Sequence, residues 1–437
     1  MSTDKFSTSR ALQERLQRVV PGGAHTYAKG ADQYPESIPG VMARGLGCHV
    51  WDVDGNEFIE YGMGLRSVTL GHAYAPVLAA VSESLALGNN FTRPSMLELE
   101  CAERFLEIID GADMVKFTKD GSTADTAALK LARAHTGRHH VAICSDQPFL
   151  SYDDWFISTT TMHGGIPERY LSESLRFTYN DASTLEALFQ RHPGEIAAVF
   201  LEPARVAEPH ATFLPEVKRL CREHGAVLVF DEMITGFRWH LGGAQKLYGV
   251  TPDLSTFGKA LANGFALSAL AGKREIMRLG SRERPEDSVF LLSTTHGAET
   301  PSLAASMRTM QVYRTEPVVE HLHRQGERLR KGLEQASARH GLERHFELFG
   351  RSCNLLFGTK GPDGKPSQPF RTLLLQEVMR RGVIMPSLVV SYSHTDQDID
   401  RTVEIVDQAL AVYARALNDG VDKHLIGRPT RTVFDRR

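Results

Sequence analysis

The chain has 437 residues, 42% of them hydrophobic and 24% charged, which is typical of a globular protein with a large domain and a smaller one. The 50 lysines and arginines against 53 aspartates and glutamates give a net charge of −3, which excludes a dedicated nucleic-acid binder with a basic domain. The five cysteines are dispersed, without a CxxC pair, as in a cytoplasmic protein with reduced thiols. No apolar run approaches the ~20 residues of a membrane helix and the N-terminus is polar, so we expect a cytoplasmic protein that binds no membrane.

Two elements are predicted near the N-terminus. Residues 12–20 form an amphipathic stretch that Pro21–Gly23 ends. Residues 50–59 carry apolar residues on both sides of an Asp-Gly turn, which predicts a β-hairpin. A calcium loop is the alternative for this segment, but a third spaced acid and a terminal bidentate glutamate are missing.

From about residue 95, helical and strand patterns alternate. The helices are predicted at 94–109, 123–135, 183–189 and 215–224, and the strands at 114–118, 140–144, 196–201 and 226–230. This alternation predicts an α/β fold with a mostly parallel sheet that is covered on both faces.

After residue 315 the sequence changes to charged helices and a few short strands, which predicts a separate smaller lobe. We therefore expect three segments: 1–60, with a helix and hairpin, as part of the small lobe; 61–315 as the large domain; and 316–437 as the small C-terminal domain. Its last residues, 428–437, carry four arginines and are predicted to form a loose solvated tail.

The turn Lys-Asp-Gly-Ser-Thr at residues 119–123 follows a predicted strand and begins a helix. Glycine permits a tight turn, and the free N–H groups of a helix N-terminus together with a hydroxyl suit a phosphate. An ordinary N-cap is the alternative for the same residues. Asp120, Gly121 and Ser122 are thus candidates for phosphate binding.

Two further side chains follow predicted strands, at the sheet edge where reactive groups of parallel sheets gather. Asp231 ends the apolar run 227–230 and needs a partner, for which an ion pair or a cap is the alternative. Lys259 follows Gly258 in a segment of small and apolar residues. Partial burial would lower the pKa of this lysine and make its amine a nucleophile, whereas a surface lysine is the alternative.

A phosphate-binding turn, a strand-end aspartate and a shielded lysine are together what pyridoxal 5′-phosphate (PLP) requires, because they anchor the phosphate, keep the pyridine nitrogen protonated and supply the Schiff-base amine. Here the sequence resembles the class III (ornithine/ω-amino acid type) aminotransferases, and within them glutamate-1-semialdehyde 2,1-aminomutase and its relatives. The resemblance covers roughly residues 15–415. Its matching segments are 21–23, 51–61, 70–72, 129–137, 179–181, 202–203, 231–238, 243–245, 248–254 and 258–259.

The resemblance implies the PLP-dependent transferase fold type I, PLP as the cofactor, no metal, and further cofactor residues. Phe149 would stack on one face of the cofactor ring and Met233 would cover the other. Thr295, or Thr294 if the register slips by one, would reach the phosphate of the partner subunit, so the active unit would be a homodimer with shared sites. Glu202 would lie near the active site, or hold a loop.

On the substrate side the sequence departs from the aminomutase. Thr26 and Lys29 stand where the aminomutase has Ser and Arg near the substrate carboxylate, and lysine is a poorer bidentate clamp. Leu65 replaces an active-site Trp, and Arg66 replaces Gly, which puts a cation either in the substrate pocket or in a surface salt bridge. Residues 386–395 lack the glutamate of the family's substrate site.

The cofactor residues are thus kept while the substrate residues differ, and a fold alone does not name a substrate. We expect an aminotransferase that moves an amino group from a small-molecule donor to a small polar keto or aldehyde acceptor, for example in the biosynthesis of an amino sugar or a specialised metabolite. The alternatives are a 1,2-aminomutase and a PLP-bound protein without activity. Intact Asp231 and Lys259 speak against the inactive protein.

Overall fold

The computed structural model describes residues 5–283 and 288–434, which form two compact units. The first unit combines the chain up to Tyr74 with Glu320–Val433, and the second comprises Ala75–Val319 together with Phe434. The sequence predicts boundaries after residues 60 and 315. The N-terminal part of the first unit extends to Tyr74 because the residues before Tyr74 form hydrogen bonds with the C-terminal segment. For example, the Tyr392 amide donates to the Thr69 carbonyl at 2.8 Å.

The helices and strands alternate along most of the chain. The helices are α1 (Ser7–Val19), α2 (Met63–Arg66), α3 (Ala75–Ala86), α4 (Met96–Leu106), α5 (Gly121–Thr136), α6 (Asp154–Ile157), α7 (Arg169–Glu173), α8 (Ala182–Arg191), α9 (Phe213–His224), α10 (Gly243–Leu247), α11 (Arg274–Met277), α12 (Thr300–Thr315), α13 (Val318–Arg339), α14 (Gln368–Met379) and α15 (Asp396–Asp419). The strands are β1 (Met42–Leu46), β2 (His49–Asp52), β3 (Glu57–Glu60), β4 (Met114–Thr118), β5 (His140–Cys144), β6 (Ser174–Phe177), β7 (Ile196–Leu201), β8 (Val227–Asp231), β9 (Leu254–Phe257), β10 (Ser268–Gly272), β11 (Phe346–Phe349), β12 (Leu356–Thr359) and β13 (Val383–Ile384).

The first unit contains the predicted hairpin, β2 and β3, in a sheet of order β1-β2-β3-β13. The acids of its turn serve as caps: Asp52 Oδ1 accepts from the amides of Asp54 and Asn56 at 3.0 and 2.8 Å. Asp54 in turn accepts from the amides of Thr8 and Ser9 at 2.8 Å each and so holds the start of α1. The hairpin prediction is therefore confirmed, and these carboxylates have a structural role.

The N- and C-terminal segments of the first unit meet where β13 pairs with β3 in parallel, with Val383 opposite Ile59. The prediction of a loose solvated tail is wrong for its described part. The guanidinium of Arg428 donates to the carbonyls of Ala31 and Asp32, and the buried Thr430 donates its amide to Thr372 Oγ1 at 2.8 Å. The tail packs because these polar groups find partners in the unit. Residues 435–437 lie outside the described residues.

The second unit contains a seven-stranded sheet of order β4-β10-β9-β8-β7-β5-β6. The strands β6, β5, β7, β8 and β9 run parallel, and β10 runs antiparallel to both β4 and β9. Every residue of β7 is buried, and alternate side chains face two apolar clusters. Ala198 and Phe200 pack in the cluster that contains α5, and Val199 and Leu201 pack in the cluster that contains α8 and α9. The predicted doubly covered α/β sheet is confirmed.

The five cysteines all lie in the described part of the chain, are buried and form no disulfide. Among the described residues, no helix has both the length and the apolar character needed to cross a bilayer.

Candidate active site

The predicted phosphate turn lies at the N-terminus of α5. Asp120 is the N-cap of this helix: its Oδ1 accepts from the amide of Thr123 at 2.8 Å and its Oδ2 from the Thr123 hydroxyl at 2.9 Å. The side chain of Asp120 therefore caps the helix, as the alternative interpretation held. Gly121 and Ser122 follow as the first helical residues, whose N–H groups have no partner within the helix. The capacity to bind an anion thus lies in these amides and in the Ser122 hydroxyl.

Met233 brings the turn before α5 next to the turn before Lys259. A Cβ atom built on Gly121 would lie 2.9 Å from Met233 Sδ, and one built on Gly258 would lie 2.6 Å from the same sulfur. A side chain at either position would force the buried methionine to shift, and at position 258 also Ser268, whose Oγ lies 2.6 Å from the same Cβ position. The three residues, far apart in sequence, form one contact region.

Asp231 is the last residue of β8 and is only 4% exposed. Its Oδ1 accepts a hydrogen bond from the amide of Met233 at 2.8 Å, and its Oδ2 has no hydrogen-bond partner among the described residues. Burial, followed by the charge of Glu202, raises the pKa of Asp231 from 3.8 to about 7, and the charge of Lys259 opposes this shift. A cationic partner at Oδ2 would favour the ionised form.

Lys259 occupies a strained position directly after β9. It begins the 3₁₀ turn Lys259–Ala262 with a φ of +45°, a conformation that costs a residue other than glycine on the order of 1–3 kcal/mol. The next three residues are almost completely buried, whereas Lys259 itself is half-buried. The surrounding packing therefore fixes this lysine in a conformation it would otherwise avoid.

Glu202 follows β7 and is 3% exposed. Its backbone is held by the amide side chain of Gln147, which donates to the Glu202 carbonyl at 2.6 Å and accepts from the Glu202 amide at 2.8 Å. Arg205 lies 3.3 Å from Oε1, and the buried Oε2 has no partner among the described residues. The backbone of Glu202 thus holds the loop that contains Gln147. The Oε2 atom of Glu202 is left to contact another group.

Two predicted cofactor contacts lie on exposed parts of the second unit. The ring of Phe149 is 44% exposed, and it stacks on Phe434 at a centroid distance of 6.5 Å with 18° between the planes. Thr294 and Thr295 are both exposed, and the Thr295 carbonyl accepts from Asn90 Nδ2 at 3.1 Å. Their side chains therefore face outward from the second unit.

The predicted substrate residue Arg66 ends the short element α2, whose backbone is a left-handed turn that no local sequence pattern predicts. Met63, Gly64, Leu65 and Arg66 have φ values of +43°, +59°, +58° and +75°. Left-handed backbone costs roughly 1–2 kcal/mol for each residue other than glycine, so four in succession mark a strongly constrained segment. Inside the first unit, Arg66 Nε donates to Asn354 Oδ1 at 2.9 Å. The structure thus places the Arg66 guanidinium against an amide side chain of the first unit.

Lys29 and Leu65 line one cavity of about 590 Å³ within the first unit. Glu60 and His72 also line it, and His72 Nε2 lies 2.7 Å from Glu60 Oε2, within hydrogen-bond distance. Thr26 lies beside Lys29, whose amide donates to the Thr26 carbonyl at 3.0 Å. The structure therefore brings two of the positions that differ from the aminomutase to one cavity.

Asp125 is a buried acid that the sequence analysis overlooked. It lies on α5, four residues after Gly121, and has no exposed surface. The signal was present, since a carboxyl stands among alanines and leucines on the inner face of a helix that follows the predicted phosphate turn.

The α/β fold of the second unit, with a strand-end aspartate, a helix N-terminus and a constrained lysine near a buried methionine, is the fold of PLP-dependent transferases of fold type I. The family profile described as Aminotransferase class-III matches residues 30–410. The chain belongs to this family, whose members are PLP-dependent, and PLP is its cofactor.

Curated relatives and solved structures agree with this assignment. The chain is 32% identical over 433 residues to glutamate-1-semialdehyde 2,1-aminomutase of Desulforamulus reducens, with 94% of this chain and 99% of the relative covered. It is 30% identical to the FumI protein of Sphingopyxis sp. MTA144, solved in its PLP internal aldimine form, with a TM-score of 0.87 and coverage of 97% and 99%. It is 26% identical to an omega-transaminase from Sphaerobacter thermophilus, with a TM-score of 0.82 and coverage of 93% and 98%.

Proposed function

We propose that this enzyme transfers an amino group from a small amino donor to a small polar keto or aldehyde acceptor, with Lys259 and Asp231 as its catalytic residues. The observation that carries the proposal is the contact region around Met233, which unites the N-terminus of α5 with the turn before Lys259. Asp231 precedes Met233 by two residues and is bonded to its amide. A phosphate anchor, a buried carboxyl and an amine are thereby grouped in one unit.

The residues present fit the cofactor. The amides of Gly121 and Ser122 and the Ser122 hydroxyl would hold the phosphate at the positive end of α5. Asp231 Oδ2 has no hydrogen-bond partner among the described residues and would accept from the pyridine nitrogen. Glu202 Oε2, buried and also without a partner in the described chain, would lie beside the ring.

PLP, when bound, supplies an electron sink for the bonds of the substrate's amino-bearing carbon. Asp231 would be ionised beside the pyridine nitrogen and would keep that nitrogen protonated. Lys259 Nζ would hold the cofactor and would serve as the base that moves the proton of the amino-bearing carbon. Met233 excludes water from one side because it is buried against the glycines of both turns.

We further propose a homodimer in which Thr295 of each chain reaches the phosphate of the other site, and in which Phe149 covers the cofactor ring. The exposure of Thr295 in the single chain supports its role, since this residue is accessible from outside the second unit. Phe149 stacks on Phe434, and its 44% exposure leaves part of the ring accessible for the cofactor. Contacts from two subunits would make the dimer necessary for activity.

The substrate side chains support an acceptor with an anionic or densely polar group. Lys29 borders the 590 Å³ cavity, and Arg66 is fixed by the left-handed turn and by Asn354. Thr26, next to Lys29, adds a hydroxyl. Two cations without the aminomutase's glutamate favour a phosphorylated, sugar-like or carboxylate metabolite.

Glutamate-1-semialdehyde 2,1-aminomutase activity is the second candidate, and relatives of that name at 32% and 30% identity favour it. A mutase must hold one substrate through both half-reactions in a pocket tuned to a single skeleton. Leu65, Lys29 and the segment 386–395 all differ from the aminomutase in that pocket. Amino transfer between two substrates tolerates such changes, so we favour it.

The experiment for this proposal is reductive trapping followed by a donor screen. Borohydride should attach the cofactor to Lys259, and Lys259→Ala should bind PLP while losing turnover by several orders of magnitude. Lys273→Ala is the matched control, because Lys273 pairs with Asp253 in the same unit and should leave activity unchanged. A label on another lysine, or a Lys259→Ala variant with full turnover, would overturn the assignment. Amino donors are then identified by the change they cause in cofactor absorbance.

A further inference from the structure

The second unit contains a carboxyl that the proposed reaction does not use. Asp125 has no exposed surface, and its Oδ1 accepts from the Thr256 hydroxyl at 2.7 Å. Its Oδ2 is buried and has no hydrogen-bond partner among the described residues. A carboxylate with one hydrogen bond and no solvent is an expensive arrangement if it is ionised.

Thr256 links Asp125 to the strand that carries Asp231. Thr256 lies opposite Asp231 in the register of β8 and β9, and its carbonyl accepts from the Glu232 amide at 2.9 Å. Asp125 is therefore attached, through one side chain, to the backbone that positions the strand-end aspartate.

The charged groups that act on Asp125 come from three elements of the sheet edge. Asp231 on β8 and Glu202 after β7 are acids, and Lys259 after β9 is the one base among them. Three carboxyls thus share a dry region with one amine. Burial first and the charge of Asp231 second raise the pKa of Asp125 far above its ordinary value.

We propose that Asp125 is a positioning residue that stays protonated and thereby keeps a further negative charge away from Asp231. If Asp125 ionised, its charge would oppose ionisation of Asp231, which could then no longer serve as the counter-ion of the pyridine nitrogen. A neutral Asp125 keeps the Thr256 hydrogen bond and adds no charge. The inference rests on the proposed role of Asp231.

The test compares Asp125→Asn with Asp231→Asn in the PLP-loaded enzyme, which is the same chemical change at two positions. Asparagine at 125 still accepts from Thr256 and resembles the protonated acid, so the pH titration of the cofactor's absorbance should match wild type within about 0.5 pH unit. Asp231→Asn should shift that titration by roughly two pH units, because a carboxylate charge next to the cofactor is lost. The affinity of the apo-protein for PLP should likewise be close to wild type in Asp125→Asn and clearly lower in Asp231→Asn.

Infrared spectroscopy at pH 8 supplies a readout independent of the cofactor. The wild-type minus Asp125→Asn difference spectrum should show the carbonyl stretch of a protonated carboxylic acid. A carboxylate band instead, or an Asp125→Asn titration shifted as far as that of Asp231→Asn, would overturn the inference. If Asp231→Asn leaves the titration unmoved, the proposed role of Asp231 itself fails. If Asp125→Asn does not fold, Asp125→Leu, which is neutral and of similar size, replaces it. Its cofactor titration should likewise match that of wild type.

Discussion

The amide of Met233 donates a 2.8 Å hydrogen bond to Oδ1 of Asp231, so the backbone two residues beyond β8 fixes the carboxyl that ends the strand. The bond fixes one oxygen and leaves the other for a ligand. Because the pKa of Asp231 is raised to about 7, the ionised form is costly in the protein without cofactor.

The first prediction concerns the pH dependence of apo-protein stability. The raised pKa means that the folded protein binds this proton more tightly than the unfolded chain, so its stabilising effect is present at low pH and lost as pH rises from about 4 to about 7. The Asp231→Asn variant does not lose this stability, because asparagine does not titrate. Between pH 5 and pH 8 the unfolding free energy of wild type should fall by about 2 kcal/mol relative to this variant, measured in urea. Equal slopes for the two proteins would contradict the buried, shifted carboxyl.

The second prediction concerns the contact between Gly258 and Met233. Alanine at 258 places a Cβ atom 2.6 Å from both Met233 Sδ and Ser268 Oγ, and overpacking of this kind should lower apo-protein stability by about 1–3 kcal/mol. Met233→Ala in the same chain should recover part of that loss. Gly164→Ala is the control, because no atom lies within 4 Å of its Cβ position and the change should stay within about 0.5 kcal/mol. Additive effects of the two substitutions would show that this contact is not formed.

The sequence predicted much of the second unit because its strands are short apolar runs bounded by helices. The fully buried β7 has the predicted bounds, and α9 ends at Gly225, which adopts the left-handed conformation that glycine favours. The strand β10, Ser-Ala-Leu-Ala-Gly, was missed because its residues are small and weak strand formers. Its antiparallel direction depends on pairing with β4, which no local pattern reveals.

The first unit was harder to predict because it joins distant segments. The parallel pairing of Val383 with Ile59 links residues more than 300 apart, and periodicity carries no information on it. The left-handed turn at Met63–Arg66 contradicts local preference, since only one of its residues is glycine. Such departures from local rules are expected where a site imposes its own geometry.

The third prediction separates substrate binding from backbone strain at Arg66. Glycine adopts the φ of +75° without strain, so Arg66→Gly removes the guanidinium and relieves the turn. If Arg66 binds an anionic part of the substrate in both ground and transition states, KM should rise about 10- to 100-fold while kcat changes little. Kinetics with the identified acceptor measure this. If Arg66→Gly changes neither KM nor thermal stability, Arg66 neither binds the substrate nor strains the turn.

The fourth prediction tests the shared site of the proposed dimer. Lys259→Ala and Thr295→Trp should each be inactive as homodimers. In a mixed dimer one site combines an intact Lys259 with an intact Thr295, so remixing equal amounts should restore about a quarter of wild-type activity. Thr294→Trp serves as the register control and should retain activity when Thr295 is the contact. No recovery in preparations shown to contain mixed dimers would argue against a contact across the interface.

The most direct measurement for the central claim is single-substrate turnover of the enzyme loaded with pyridoxamine 5′-phosphate. Glutamate-1-semialdehyde is supplied alone, and 5-aminolevulinate and cofactor absorbance are followed together. An aminotransferase should stop after at most one turnover per site and restart when an amino donor such as glutamate is added. Rapid, sustained formation of 5-aminolevulinate without any second donor would contradict amino transfer between two substrates and establish the mutase.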